Sequence, residues 1–298
     1  MSDPGPQATR GGLDTIARAE FKPTDVPWFG KVLYHVLPFR RGVVLDNLRR
    51  VFGDVLTRDE IRRLAQAYYA HFARFLPECF RLPFMSMQRR KAWVRVENID
   101  IAIRIHQQQK GILLLTGHLG NWEVATVAGI GQFPQYRDLL HFVRRPLKPR
   151  WLNELVTRRF RRSGFGTLAK RGSLDAILEL LAAGAIVVFV LDQHAGSGDG
   201  IAVDFLGHPA STFKSLAVLA LNTGAPVIPA ACWREPDGSH VLRFEEPLPL
   251  IECDDAGEAI RQNTRAYTAA LERMLLRHPE QWIWMHRRWK PATPPCLH

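Results

Sequence analysis

The residues best placed to do chemistry lie in Gly117-His118-Leu119-Gly120-Asn121-Trp122-Glu123, directly after Ile112 to Leu115, an apolar stretch that reads as a buried strand. In an α/β sheet the ligand crevice lies beyond the carboxyl ends of the strands, so this order delivers His118 to where reactions usually occur. Four residues separate His118 from Glu123. A strand-to-helix turn can fold that spacing so that the carboxylate meets one imidazole nitrogen, fixing the tautomer and freeing the other nitrogen as a general base. Such a pair is a base without a nucleophile, suited to direct attack by a substrate hydroxyl with no covalent enzyme intermediate. The alternative is a His and a Glu that only cap a helix, since acids are common in the first turn.

Other familiar sites are missing. The chain has no Gly-x-Ser-x-Gly elbow, no Gly-x-x-x-x-Gly-Lys phosphate loop, no Gly-x-Gly-x-x-Gly fingerprint and no His-Glu-x-x-His pair. Glycines 196, 198 and 200 have the look of a phosphate cradle, but no helical pattern follows, and a mobile loop is expected there. Cys79, Cys232, Cys253 and Cys296 are far apart without a Cys-x-x-Cys spacing, which fits reduced, buried thiols in a cytoplasmic protein rather than a disulfide scaffold or zinc module.

The elements that must position His118 can be read from periodicity. Ile112 to Leu115, Leu139 to Val143, Ile186 to Leu191 and Val227 to Ala231 read as buried strands. Helical patterns alternate with them over Asn121 to Ile130, Pro149 to Arg162, Ser173 to Ala183 and Phe213 to Asn222, with Gly184 and Gly224 where C-terminal caps belong. Strand–helix alternation predicts an α/β fold, a mainly parallel central sheet flanked by helices. A strand over His240 to Phe244 and a helix from about Ala256 to Arg277 follow, then a short Trp-rich segment. Upstream, Thr57 as a cap and the spacing of Ile61, Leu64, Ala65, Tyr68, Phe72 and Phe75 predict a long amphipathic helix ending before Pro83, part of an N-terminal helical elaboration. Residues 28–48 mix aromatic and basic side chains and fit either a membrane-lying segment or a helix packed on the main domain. The expected organisation is a loose tail over 1–27, one α/β domain over 28–290 and a C-terminal tail over 291–298.

Of the 298 residues, 46% are apolar, enough for a sizeable core. Lys and Arg number 40 against 29 Asp and Glu, giving +11, a balance that suits nucleic acid, a phospholipid surface or an acidic carrier. The longest apolar run, Ala185 to Leu191, falls far short of the roughly 20 residues that cross a bilayer. Nothing in the first 20 residues reads as a secretory signal. Arg158, Arg159, Arg161 and Arg162 form a basic cluster, but no nucleic-acid-binding motif accompanies it, so that partner is not expected.

The His118-x4-Glu123 unit resembles the signature of the lysophospholipid acyltransferase superfamily, specifically its bacterial lipid A late acyltransferase branch of lauroyl and myristoyl transferases. Phe142-Val143-Arg144-Arg145-Pro146 is similar to the branch's aromatic-Arg-Pro block, and Asp192-Gln193-His194 to its Asp-Gln-Asp segment, with His194 in place of the second acid. Phe205 to Thr212 and Thr223 to Pro229 resemble the third and fourth blocks, and Pro279 to Lys290 the closing motif. The likeness spans about residues 40 to 290.

This resemblance implies a glycerolipid acyltransferase-like fold and transfer of a fatty acyl group from a thioester, on acyl carrier protein or coenzyme A, to a hydroxyl of a lipid or glycolipid. It needs no metal or redox cofactor. His118 and Glu123 would be the catalytic pair. Gly120 and Asn121 would offer backbone amides to the developing oxyanion. Arg145 and Lys214 would meet phosphates of lipid or donor, and Asp192, Gln193, Ser211 and Thr212 would support the site. A chain without a spanning helix then points to peripheral attachment at the cytoplasmic face of the inner membrane, on anionic lipid, with Trp282, Trp284 and Trp289 as an interfacial patch or as core. A catalytically silent membrane scaffold of the same fold is the alternative.

Overall fold

The computed structural model describes residues 26–290, apart from Gln109, Ser197 and the side chain of Leu152. The expected tails, and Cys296 with them, lie outside the described residues except for Val26 and Pro27. Three helices open this region: α1 (Trp28–Val36), α2 (Arg41–Phe52) and α3 (Arg58–Arg81). The last begins as its sequence predicts. The Thr57 hydroxyl accepts from the Glu60 amide while the Glu60 carboxylate accepts from the Thr57 amide, a reciprocal cap that satisfies two otherwise orphaned donors. Residues 28–48 therefore pack as helices, yet α1 turns only Gly30 and Tyr34 fully inward and leaves Trp28, Val32 and Val36 exposed.

The sheet has seven strands: β1 (Val94–Glu97), β2 (Ile112–Thr116), β3 (Leu140–Arg144), β4 (Phe165–Ala169), β5 (Ile186–Val190), β8 (Val227–Arg234) and β9 (His240–Phe244); β6 (Gly200–Phe205) and β7 (His208–Phe213) form a separate hairpin. The order is β1-β9-β8-β2-β5-β3-β4, parallel at every pairing except β8 with β9. β2 and β5 read Ile-Leu-Leu-Leu-Thr and Ile-Val-Val-Phe-Val because central parallel strands are covered on both faces. One face packs under α2, α3 and the C-terminal helix Ala256–Arg277, the other against the helices Ile99–His106 and Ala125–Ile130.

The loop expected around glycines 196, 198 and 200 is met in part: Gly196 and Gly198 lie outside any helix or strand, but Gly200 starts β6, which pairs with β7 along its whole length. Of the two readings of the closing segment the structure takes core, for Trp282 and Trp284 are 1% and 0% exposed and Trp289 packs partly buried against Trp282.

A buried polar cluster locks the turn after β2 to the N-terminal helices. Arg234 on β8 forks onto Glu78 of α3 at 2.7 and 2.6 Å, and Glu78 also accepts from the Asn121 amide at 2.8 Å. Gln281 closes the other side, its side chain exchanging hydrogen bonds with the Arg234 backbone and its carbonyl accepting from the Gly120 amide at 3.1 Å. A lone charge in that interior would be costly, so the cluster ties α3, β8, the 117–123 turn and the closing segment into one arrangement.

Candidate active site

The in-register pairing of β2 with β5 places the chemistry. Thr116 lies opposite Val190, and the Leu191 amide donates to the Thr116 carbonyl, so both strands leave the sheet at one level. Two residues further along each chain come His118 and Asp192, side by side. His118 Nδ1 is 2.9 Å from Asp192 Oδ1, and the His118 backbone amide donates to Oδ2 at 2.6 Å. Trp282 Nε1 donates to the same Oδ2 at 2.9 Å. Gly117 permits this approach, because a Cβ there would lie 2.9 Å from Leu271 and 3.2 Å from the Asp192 carboxylate.

The electrostatics follow from burial. Asp192 is fully buried, which alone would raise its pKa, but the His118 imidazole, the His118 amide and Trp282 together hold it down to about 2. Burial likewise disfavours the charged form of His118, yet the Asp192 carboxylate outweighs it and raises the imidazole above its ordinary 6.5. With Nδ1 engaged by a carboxylate, the neutral ring carries its proton there and leaves Nε2 as the free base. The Trp122 ring meets the imidazole edge-on at 4.8 Å, and about 20% of the His118 side chain stays open to solvent.

Glu123 does not hold the imidazole. Asp192 occupies that place, because Glu123, five positions on from His118 and in the first turn of a newly started helix, is carried away from the strand end whereas the neighbouring parallel strand ends beside it. Burial raises the Glu123 pKa, and Arg159 and Arg144 act against that rise. Those arginines are themselves fixed: Arg144 by Asn153 and Thr157, Arg159 by the Cys79 carbonyl. Arg159 thus leaves the basic cluster on the helix Arg150–Arg162 to face the site.

The other expected site residues divide. Gly120 adopts φ +62°, and a Cβ there would sit 2.5 Å from the Cys232 carbonyl, so its absence of side chain is a packing requirement. Its amide already donates to Gln281 and is not free for an oxyanion. Asn121 is fully buried and its side chain is spent on the Val124 amide, the Phe75 carbonyl and Glu78. Gln193, Ser211 and Thr212 come together through Arg288, which donates to the Gln193 and Ser211 carbonyls at 3.3 and 2.5 Å and to the Thr212 hydroxyl at 2.5 Å. Arg145 is exposed beyond β3, and Lys214 stands half-buried before the helix Ser215–Thr223; neither joins His118 through a described contact. Sequence reasoning missed the roles of Trp282, Arg288, Arg234 and Glu78. Trp282 and Arg288 lie in the closing motif, which was the available signal; Glu78 and Arg234 stood in no recognisable pattern. Cys79 and Cys232 are free and buried, Cys253 free and half-buried.

The sequence profile of a family described as "Bacterial lipid A biosynthesis acyltransferase" matches residues 27–291. The chain is similar to a phosphatidylinositol mannoside acyltransferase of Mycolicibacterium smegmatis, 26% identical over 82% of this chain and 77% of that protein. It is 25% identical to two proteins of Escherichia coli: a lipid A biosynthesis lauroyltransferase, over 88% of this chain and 82% of that one, and a lipid A biosynthesis palmitoleoyltransferase, over 84% and 79%.

The His118 titration gives a direct prediction. By NMR its midpoint should lie above 6.5; Asp192→Asn should drop it below 6.5, since burial then acts unopposed, whereas Glu123→Gln should leave it in place. A base works in its neutral form, so the rate should rise with pH through the parent's raised midpoint. The stabilising ion pair runs the other way: its His118 contribution is fully present below the unfolded pKa and is lost as pH rises through the folded one, while that of Asp192 is lost as pH falls towards 2.

Proposed function

Because the chain belongs to the bacterial lipid A biosynthesis acyltransferase family, we propose that it transfers a fatty acyl group from a thioester of acyl carrier protein or coenzyme A to a hydroxyl of a lipid or glycolipid. The observation that carries this reading is the His118–Asp192 pair, with Nδ1 held and Nε2 free. In the proposed reaction Nε2 takes the acceptor's hydroxyl proton as its oxygen attacks the thioester carbonyl. The C–O bond forms, the C–S bond breaks, and the imidazolium returns its proton to the departing thiolate, giving ester and free thiol. Base catalysis of this kind contributes about 10² to 10⁴ in rate. Asp192 supports the imidazolium in place of the acid first expected there. Glu123, beside Arg144 and Arg159, belongs on the substrate side as a positioning residue.

Relatives named for lipid A and for phosphatidylinositol mannoside favour a glycolipid acceptor. A silent scaffold is disfavoured by the cost of burying Asp192 for no chemical return.

Attachment to the cytoplasmic face of the inner membrane fits the exposed surface. Among the described residues no helix is long and apolar enough to cross a membrane. Trp28, Val32 and Val36 nevertheless form an exposed stripe along α1, and Leu76, Phe80 and Phe84 another at the end of α3, whose Phe75 packs at a tilt against Trp122 beside His118. Basic residues near such a surface add about 1 kcal/mol each on anionic lipid.

His118→Ala should abolish thioester consumption and ester formation, read by free-thiol release and product mass spectrometry, while circular dichroism stays that of the parent. Turnover equal to the parent's would remove the mechanism. On vesicles of phosphatidylcholine and phosphatidylglycerol, Trp28→Ser/Val32→Ser should sediment less than the parent at high salt, where screening leaves apolar insertion to hold the protein. Equal sedimentation would remove α1 from the membrane contact.

A further inference from the structure

Outside the His118 turn, positive charge gathers around an open cleft of about 400 Å³ lined by Arg40, Val43, His286, Arg287 and Lys290. An apolar cavity of about 20 Å³ between Ile112, Leu140, Ile186 and Phe244 lies at the amino ends of the strands and is too small for a substrate.

Three of the five residues lining the cleft carry fixed positive charge and none carries a negative one. Among the described residues no salt bridge engages Arg40, Arg287 or Lys290. Gathering like charges without counter-charges is unfavourable unless an anion shares the site. Arg40 adds strain: its backbone is left-handed at φ 54°, a conformation side chains seldom adopt. Its guanidinium is steadied by the Met285 carbonyl at 3.2 Å, and the preceding Phe39 carbonyl accepts from the Tyr69 hydroxyl at 2.7 Å. Strain retained at one residue marks a position the surroundings insist on.

His286 joins the cleft to the chemistry. Burial pushes its imidazole down to about 4, against a raising influence from Asp192, so the ring is neutral at working pH. Its Nε2 accepts from the His194 amide at 3.0 Å, which puts the ring proton on Nδ1 and makes it a donor. The cleft wall is thereby bonded to the segment that begins at Asp192.

We propose that this cleft is a phosphate-binding subsite, which anchors a phosphate-bearing substrate beside the Asp192–His194 segment. Two guanidinium groups and an ammonium suit a phosphate, whose oxygens accept paired N–H bonds and whose negative charge they offset. The phosphate comes either from the thioester donor or from a lipid headgroup. The choice of probes rests on the acyl-transfer reading, but binding is measured without turnover, so failure of that reading leaves this test intact.

The full chain would be titrated with free coenzyme A by calorimetry and sedimented with phosphatidylcholine vesicles containing phosphatidylglycerol. Arg287→Gln/Lys290→Gln removes two exposed cations, and Arg161→Gln/Arg162→Gln removes two exposed cations elsewhere as a charge control. The first variant should bind at least one probe about 10-fold more weakly than parent and control, a difference of about 1.4 kcal/mol. Weakening on coenzyme A alone assigns the donor's phosphate, and weakening on vesicles alone a lipid headgroup. Parent-like binding of both probes, or equal weakening by the control, overturns the subsite.

Discussion

A carboxylate with no exposed surface must be paid for by its neighbours, and Asp192 sets the terms for the whole active region. Its charge is compensated by hydrogen bonds from the His118 ring, the His118 amide and the Trp282 indole. These donors come from two places in the chain, the turn after β2 and the closing segment. Neither can shift without stranding a buried charge. The strand register brings His118 and Asp192 level, and the closing segment seals the pair from above.

That closing segment is in turn held by the N-terminal elaboration. Asn47 on α2 donates to the Trp284 and His286 carbonyls, and the Phe52 ring packs on Trp284. Arg288, fully buried and held down to about 10 by that burial, pins the Gln193 carbonyl and the β7 strand. The Glu78–Arg234 pair fastens the far side of the His118 turn. Helices that look peripheral in chain order thus serve as the brace for a site made by the sheet.

The central strands were legible because parallel strands covered on both faces must be continuously apolar, as Ile112 to Thr116 and Ile186 to Val190 are. His240–Phe244 and Ala256–Arg277 were legible for similar reasons of burial and period. What escaped was short or marginal: β1 with four residues, β4 with Gly166 set against the His141 ring, and the β6–β7 hairpin, where glycines and Pro209 read as loop. In the site, His118 was legible from its place after a strand, and Asp192 from family likeness alone. The partner assigned to His118 was wrong for a physical reason: nearness in sequence favoured Glu123, whereas the register of two strands about seventy residues apart decides who stands beside the imidazole. Arg288 and Trp282 were visible as residues but not as partners, since a fully buried arginine shows itself only once its three acceptors are folded around it.

Asp192 fixes the imidazole so that Nε2 is the free base. The ring ¹⁵N shifts of His118, recorded in the resting protein at a pH above its titration, test this most directly. A neutral ring protonated at Nδ1 and bare at Nε2 is expected in the parent, with that tautomer lost in Asp192→Asn. A parent ring protonated at Nε2 would contradict it, because the nitrogen that must receive the acceptor's proton would already hold one.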